Sequence, residues 1–340
     1  MRGRDVTIWL STAAVGALVA WGLLAGRVSS LVPVDSPRSA ETSPPVPGLD
    51  AVPPRTQPEI PFEATERDWE IVQETVRRIR AQGPADRSMG DLVVAVGLSF
   101  VGTPYEPGTL ELPGPERLAV NLRTLDCVTF VENALVLAHL VRTASDALVD
   151  DRDALARAYR ERLALLRYRE GAPEGYASRL HYFSEWLARN DQRGVLQVVT
   201  PTLPGALEDA RPLTFMSDHP DAYRQVAEDP TVLESIRALE LGLTAPRWYI
   251  PQDQVEAAAA GGNGPGEAGI RNGDIIAAKS ILDGLDVAHT GIAVWQGGEL
   301  HLLHAPLVGD SVEVSPRPLG ERLRGIRAQD GILVARPVEP

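Results

Sequence analysis

Hydrophobic and polar positions follow different rhythms along this chain, and the changes of rhythm divide it. Val6 to Gly26, VTIWLSTAAVGALVAWGLLAG, runs apolar without a charge. That length matches the roughly 20 residues that cross a bilayer and exceeds the apolar run of about 7–15 residues in a cleaved signal. Residues 1–28 therefore read as a membrane anchor or, alternatively, as a removed export signal. Arg2 and Arg4 outweigh Arg27, which places the N-terminus in the cytoplasm and the remainder outside it. From Ser29 to Pro61 proline is too dense for a helix or a central strand, so residues 29–62 read as a disordered, semi-rigid tether.

A helical period takes over in the folded part, residues 63–340. EATERDWEIVQETVRRIRAQ (63–82) places Trp69, Ile71, Val72, Val76 and Ile79 on one stripe among charges. GDLVVAVGLSFV (90–101) predicts a buried helix. Further helices are expected from Cys127 to Arg142 and from Arg152 to Tyr168, with a helical insertion spanning about 150–245. The tail switches to short runs split by Gly, Asp and Pro: GDIIAAKS (273–280), HTGIAVWQ (289–296), ELHLLHAP (299–306), SVEVSP (311–316) and GILVARP (331–337). Helices first and strands last predict an α+β fold with an antiparallel sheet.

Composition narrows the chemistry. Apolar residues at 44% and charged residues at 23% suit a globular domain with a sizeable core. A net charge of −13 argues against a nucleic-acid partner. The single cysteine, Cys127, excludes a disulfide framework, a CxxC redox pair and a multi-thiolate zinc site. It stands at the start of LDCVTFVENALVLAHL, where Thr124 or Asp126 can cap a helix. A thiol in the first turn meets unsatisfied N–H groups and the positive end of the helix dipole, and the expectation is a lowered pKa. Cys127, Val131, Ala134, Ala138 and Val141 also form an ordinary core stripe, so a merely buried cysteine fits the same pattern.

HTGIAVWQGGELHLLHAP supplies the second half of a site. A two-residue turn at Gly297-Gly298 pairs Gln296 with Glu299, Trp295 with Leu300, Ala293 with Leu302 and Gly291 with His304. His289 then shares a face with His304 as its diagonal neighbour, and Gly291 leaves room there for a third group. The same register puts His301 and His304 on opposite faces, which disfavours HLLH as a zinc chelate.

GTPY (102–105), LDCVTFVEN (125–133), LRYREG (166–171), SRLHYFSEW (178–186), MS (216–217), YIP (249–251), GDII (273–276), GLDVAHTGIAV (284–294) and LHLLHAP (300–306) occur in order. Together they resemble the DUF1460 family, a branch of the NlpC/P60 papain-like cysteine amidases, across about residues 66–337. The resemblance implies a circularly permuted papain-like core, a cysteine-bearing helix on a histidine-bearing sheet. It implies a cofactor-free, metal-free hydrolase of peptidoglycan or its muropeptide fragments, acting on the N-acetylmuramoyl-L-alanine bond through an acyl-enzyme. Cys127 matches the nucleophile, His289 the general base, His304 the orienting residue and Tyr105 the tyrosine near the oxyanion site. Val128-Thr129 and Pro306 depart from the wider pattern.

Three readings compete with that bond. One is cleavage between D-glutamate and the diamino acid by the same dyad, a second is acyl transfer, and the third is an inert peptidoglycan-binding module. Arg179, His181, Tyr182 and Asp286 are candidates for substrate contact. Ser178 and His181, three apart on an expected helix, form a much weaker hydrolytic alternative, and Arg179 fits a structural ion pair as well. The expected protein is an exported monomer of the cell envelope, touching the membrane only through its N-terminal segment.

Overall fold

The structure is a computed structural model that describes residues 60–261 and 268–340. The apolar run at Val6–Gly26 and the tether up to residue 59 lie outside the described residues. Among the described residues no helix is long and apolar enough to cross a membrane.

Helix α1 (Glu66–Arg80) begins where Thr65 and Asp68 cap one another, and it buries Val72, Val76 and Ile79. It is shorter than the expected 63–82 because Phe62–Glu63 pairs in parallel with Leu118–Ala119. Helix α2 (Met89–Leu98) starts at Ser88, whose hydroxyl accepts from the Asp91 N–H. Helix α3 (Cys127–Thr143) is buried at every residue from Thr129 to Val141. A helix hydrophobic on all sides belongs at the centre of its layer, and α3 packs against α1, α2 and α4 (Arg152–Arg167). Helix α4 contributes Leu155, Tyr159 and Leu163 to this main core.

Strands β1 (Arg247–Pro251), β2 (Ile275–Ser280), β3 (Val287–Gln296), β4 (Glu299–His304), β5 (Glu313–Val314) and β6 (Gln329–Pro337) form an antiparallel sheet in the order β1-β6-β2-β3-β4-β5. Leu207–Asp209 extends it beyond β1. Ile275, Ala277, Ile292, Val294, Leu303 and Leu333 face the helical layer. Ile276, Ala278, Ala293, Leu302, Ile332 and Val334 face a second, smaller core closed by helix α5 (Leu319–Arg324) through Leu319 and Leu323. The alternation follows from the two-residue period of a strand covered on both sides. A third cluster, around Tyr176, Tyr182, Phe215, Tyr223 and Ile236, lies in the helical region after α4. The fold is α+β, as the order of elements predicts.

The β3–β4 hairpin has the register read from its turn: Gln296 pairs with Glu299, Trp295 with Leu300 and Ala293 with Leu302. Gly297 and Gly298 both have positive φ, 59° and 87°, as a tight hairpin turn of this hand requires. At its other end β3 carries a feature the pattern did not reveal. Ala278 pairs with His289 and Lys279 with Val287, so Ala288 is an extra, bulged residue. The bulge lets both Val287 and Thr290 point to the helical layer and leaves His289 on the face of Ala293.

Candidate active site

Asp126 caps α3, accepting from the N–H groups of Val128 (3.0 Å) and Thr129 (2.8 Å). The segment leading into it is pinned from α1, because the buried Asp68 carboxylate accepts from the Leu122 N–H at 2.9 Å. Cys127 is therefore the first residue of the helix, and the residue is 3% exposed. The Thr290 hydroxyl donates to the Cys127 carbonyl at 2.8 Å. This bond docks the helix start on the residue that follows His289.

His289 and His304 meet as the register requires. Nε2 of His289 lies 2.8 Å from Nδ1 of His304, with the rings nearly perpendicular at 88°. Gly291 is not an empty place beside them. A Cβ there would come within 2.8 Å of both the Leu302 side chain and the Leu303 carbonyl. The expected room for a third group is already filled by Leu302, and the glycine serves close packing.

The electrostatics correct the expectation of a ready-made thiolate. Burial, followed by the negative charge of Asp126, pushes the Cys127 thiol up to about 12, against the opposing hydrogen bonds from Thr290. His289 is held well below the usual imidazole range by burial, then by His304 and Arg322. His304 is pushed down to about 3 by burial and by Arg322. Desolvation outweighs the helix-start effect, so the resting site holds a neutral thiol and neutral rings. Arg322, half-buried on α5, is the cation of this site, and its charge is felt by the thiol and both imidazoles. Nothing in PLGERLRG signals that role, because only the docking of α5 on the histidine-bearing face brings it close.

Tyr105 is bridged to Leu125, two residues before Cys127, and its N–H donates to Asp310 at 2.8 Å. The other four candidates line one cavity, and each makes a bond within the protein. Arg179 is buried and makes ion pairs of 2.8 Å with both Glu111 and Glu116. His181 Nε2 lies 2.8 Å from the Tyr176 carbonyl. The Tyr182 hydroxyl donates to Glu240 at 2.7 Å. Asp286 accepts from the N–H groups of Ser184 (2.7 Å) and Val287 (2.7 Å). With Val128 and Glu132 these residues line a cavity of about 20 Å³, room for about one water. These bonds tie the helical region to α3 and β3, while His181 Nδ1 is buried without a hydrogen-bond partner among the described residues. Ser178 and His181 do not share a helix: a short 3-10 turn covers Tyr176–Ser178, the chain then extends, and helix resumes only at Phe183. The Ser178 hydroxyl donates to the Gly175 carbonyl instead. His301 points to the Ser315 carbonyl, away from His304, and no group of three metal-ligating side chains occurs among the described residues.

Comparison with known proteins adds to this geometry. The AmiA-like family, described as N-acetylmuramoyl-L-alanine amidase-like, matches residues 95–332. A crystallised N-acetylmuramoyl-L-alanine amidase from Bacteroides uniformis is 32% identical, with a TM-score of 0.64 over 74% of this chain and 99% of its own. A Bacteroides fragilis protein described as a candidate xylanase is 35% identical, with a TM-score of 0.62 over 71% of this chain and 98% of its own. A Legionella pneumophila protein of the DUF1460 family shares the fold at 22% identity, with a TM-score of 0.55 over 81% of this chain and 97% of its own. No curated protein matches the chain.

Proposed function

Because the chain belongs to the N-acetylmuramoyl-L-alanine amidase-like family, we propose that it is a cysteine amidase cutting the bond between the lactyl group of N-acetylmuramic acid and L-alanine. The observation that carries this reading is the paired imidazoles, 2.8 Å apart, beside a strand residue that holds the start of the cysteine helix. In the tautomer whose Nε2 donates to His304, Nδ1 is the basic nitrogen of His289. In the proposed reaction Nδ1 takes the thiol proton as sulfur attacks the lactyl carbonyl. The N–H groups of Val128 and Thr129 are occupied by the Asp126 cap, so the Cys127 N–H is the helix-start donor left for the oxyanion, and the family resemblance assigns the Tyr105 hydroxyl to the same role. The tetrahedral adduct expels the L-alanine amine, which receives the proton back from His289. Water, deprotonated by the same ring, then releases the sugar acid from the thioester.

A neutral thiol fits this scheme as general-base catalysis in which proton transfer accompanies attack. Arg322 supplies positive charge that favours the developing anion. We read the core as papain-like, on the support of a cysteine-headed helix packed against a histidine-bearing antiparallel sheet. We further place the folded part outside the cytoplasm, on the strength of the apolar run at Val6–Gly26 and its arginine flank.

The test is incubation of the full-length chain with defined muropeptides, followed by product masses. Release of the intact stem peptide with free L-alanine N-terminus is expected. Cys127→Ala and His289→Ala should each lower turnover by at least about 10³-fold while leaving the thermal transition near that of wild type. Products cut after D-glutamate would move the assignment to the endopeptidase reading. Unchanged hydrolysis by Cys127→Ala would remove the cysteine mechanism altogether.

A further inference from the structure

In the ring pair, His304 Nε2 is buried without a hydrogen-bond partner among the described residues. Glu313 pairs with His304 directly across β4 and β5. Its Oε1 lies 4.0 Å from that nitrogen, and its side chain is 40% exposed. Resting on the amidase reading above, we propose that Glu313 is a positioning residue that selects the tautomer of both imidazoles and so frees the nitrogen of His289 that receives the thiol proton.

The argument is proton counting. Two neutral rings share one hydrogen in the bond between His289 Nε2 and His304 Nδ1. In one arrangement His289 donates from Nε2, His304 carries its proton on Nε2, and His289 Nδ1 keeps a lone pair. In the other, His304 donates from Nδ1, its Nε2 is bare, and His289 carries its proton on Nδ1, where it cannot act as a base. Left to themselves the two arrangements each leave one buried nitrogen unanswered. A carboxylate facing His304 Nε2 favours an N–H there, and that choice propagates through the shared bond to His289. The half-exposed Glu313 side chain can close the 4.0 Å gap by rotation or through one water. Arg322 on α5 acts on both rings, and Cys127 on α3 and Glu313 on β5 in turn act on Arg322. Arg322 opposes a protonated ring, whereas the Glu313 carboxylate, 4.0 Å from His304 Nε2, favours hydrogen on that nitrogen.

The experiment uses uniformly ¹⁵N-labelled full-length protein and long-range ¹H–¹⁵N spectra of the imidazoles at neutral pH. His289→Gln and His304→Gln assign the two rings. Wild type is expected to show both rings protonated on Nε2. Glu313→Ala should populate the Nδ1–H form of both, and Glu313→Gln, which keeps an acceptor but no charge, should fall between. In turnover, Glu313→Ala should lose about tenfold in kcat/KM with KM changed less than about twofold. Its acid limb should move to lower pH, because the lost carboxylate favoured the imidazolium. Unaltered tautomers in Glu313→Ala, or a wild-type His289 already protonated on Nδ1, would overturn the proposal. The spectra report on the resting protein, so they decide this point whether or not Cys127→Ala abolishes hydrolysis.

Discussion

Two buried polar assemblies touch the same helix and differ in how completely they are bonded. Five residues along α3 from the cysteine, Glu132 pairs with Arg167 at 2.8 Å, both side chains 3% exposed or less. The Trp186 indole N–H donates to the other Glu132 oxygen, and Arg167 also donates to the Ala119 carbonyl at 2.6 Å. The catalytic candidates are buried to a similar degree, yet they share one ring-to-ring bond, leave His304 Nε2 unanswered and hold the thiol at a raised pKa. The Glu132–Arg167 brace satisfies its groups, and an orphaned buried charge there would be costly. A site withholds satisfaction so that a substrate or a moving proton can supply it. Completeness of bonding, more than burial or charge, separates the two regions.

The largest effect that would sharpen this contrast is on the brace. Arg167→Met leaves Glu132 buried without its cation and should cost about 3–5 kcal/mol in urea unfolding. A double replacement, Arg167→Met with Glu132→Leu, should recover a good part of that loss. If the single replacement costs nothing, the pair is not the structural counterpart described above.

A second test is the response to acid. Buried His289 and His304 have pKa values depressed below the unfolded value, so the unfolded chain binds more protons than the native one as pH falls. Their contribution is fully present above about pH 6.5 and is lost as pH falls toward about 3 for His304. Each ring should remove up to about 1.4 kcal/mol per pH unit in that window. Thermal melts from pH 7 to pH 4 should show the slope, and His304→Asn should lessen it by one ring's share. An identical slope in that variant would show that the pair is not kept neutral by the fold.

The smallest effect tests the thiol. Asp126→Asn keeps an acceptor for the cap but removes the negative charge beside Cys127, so stability should fall by no more than about 1 kcal/mol. The thiol pKa should drop, and iodoacetamide should label the variant faster than wild type at pH 8. Wild type itself should label slowly at neutral pH. Rapid labelling of wild type well below pH 8 would restore the thiolate that helix position alone suggests.

The sequence by itself determined what local rules govern. A cap residue before an apolar run set the start of α3 at Cys127, and a glycine pair between alternating strands set the hairpin register, hence the meeting of His289 with His304. Both rest on short-range periodicity, so both were legible. Tertiary structure alone decided the rest. The bulge at Ala288 depends on a partner strand, and the filled space at Gly291 depends on Leu302. The approach of Arg322 and Glu313 depends on how α5 and β5 return to the sheet. The bonds that Arg179, His181, Tyr182 and Asp286 make depend on how the helical region folds back onto α3 and β3. The direction of the thiol's shift was also out of reach of the sequence. A helix start pulls it down at short range, but desolvation sums over every neighbour the fold brings in, and here that sum wins.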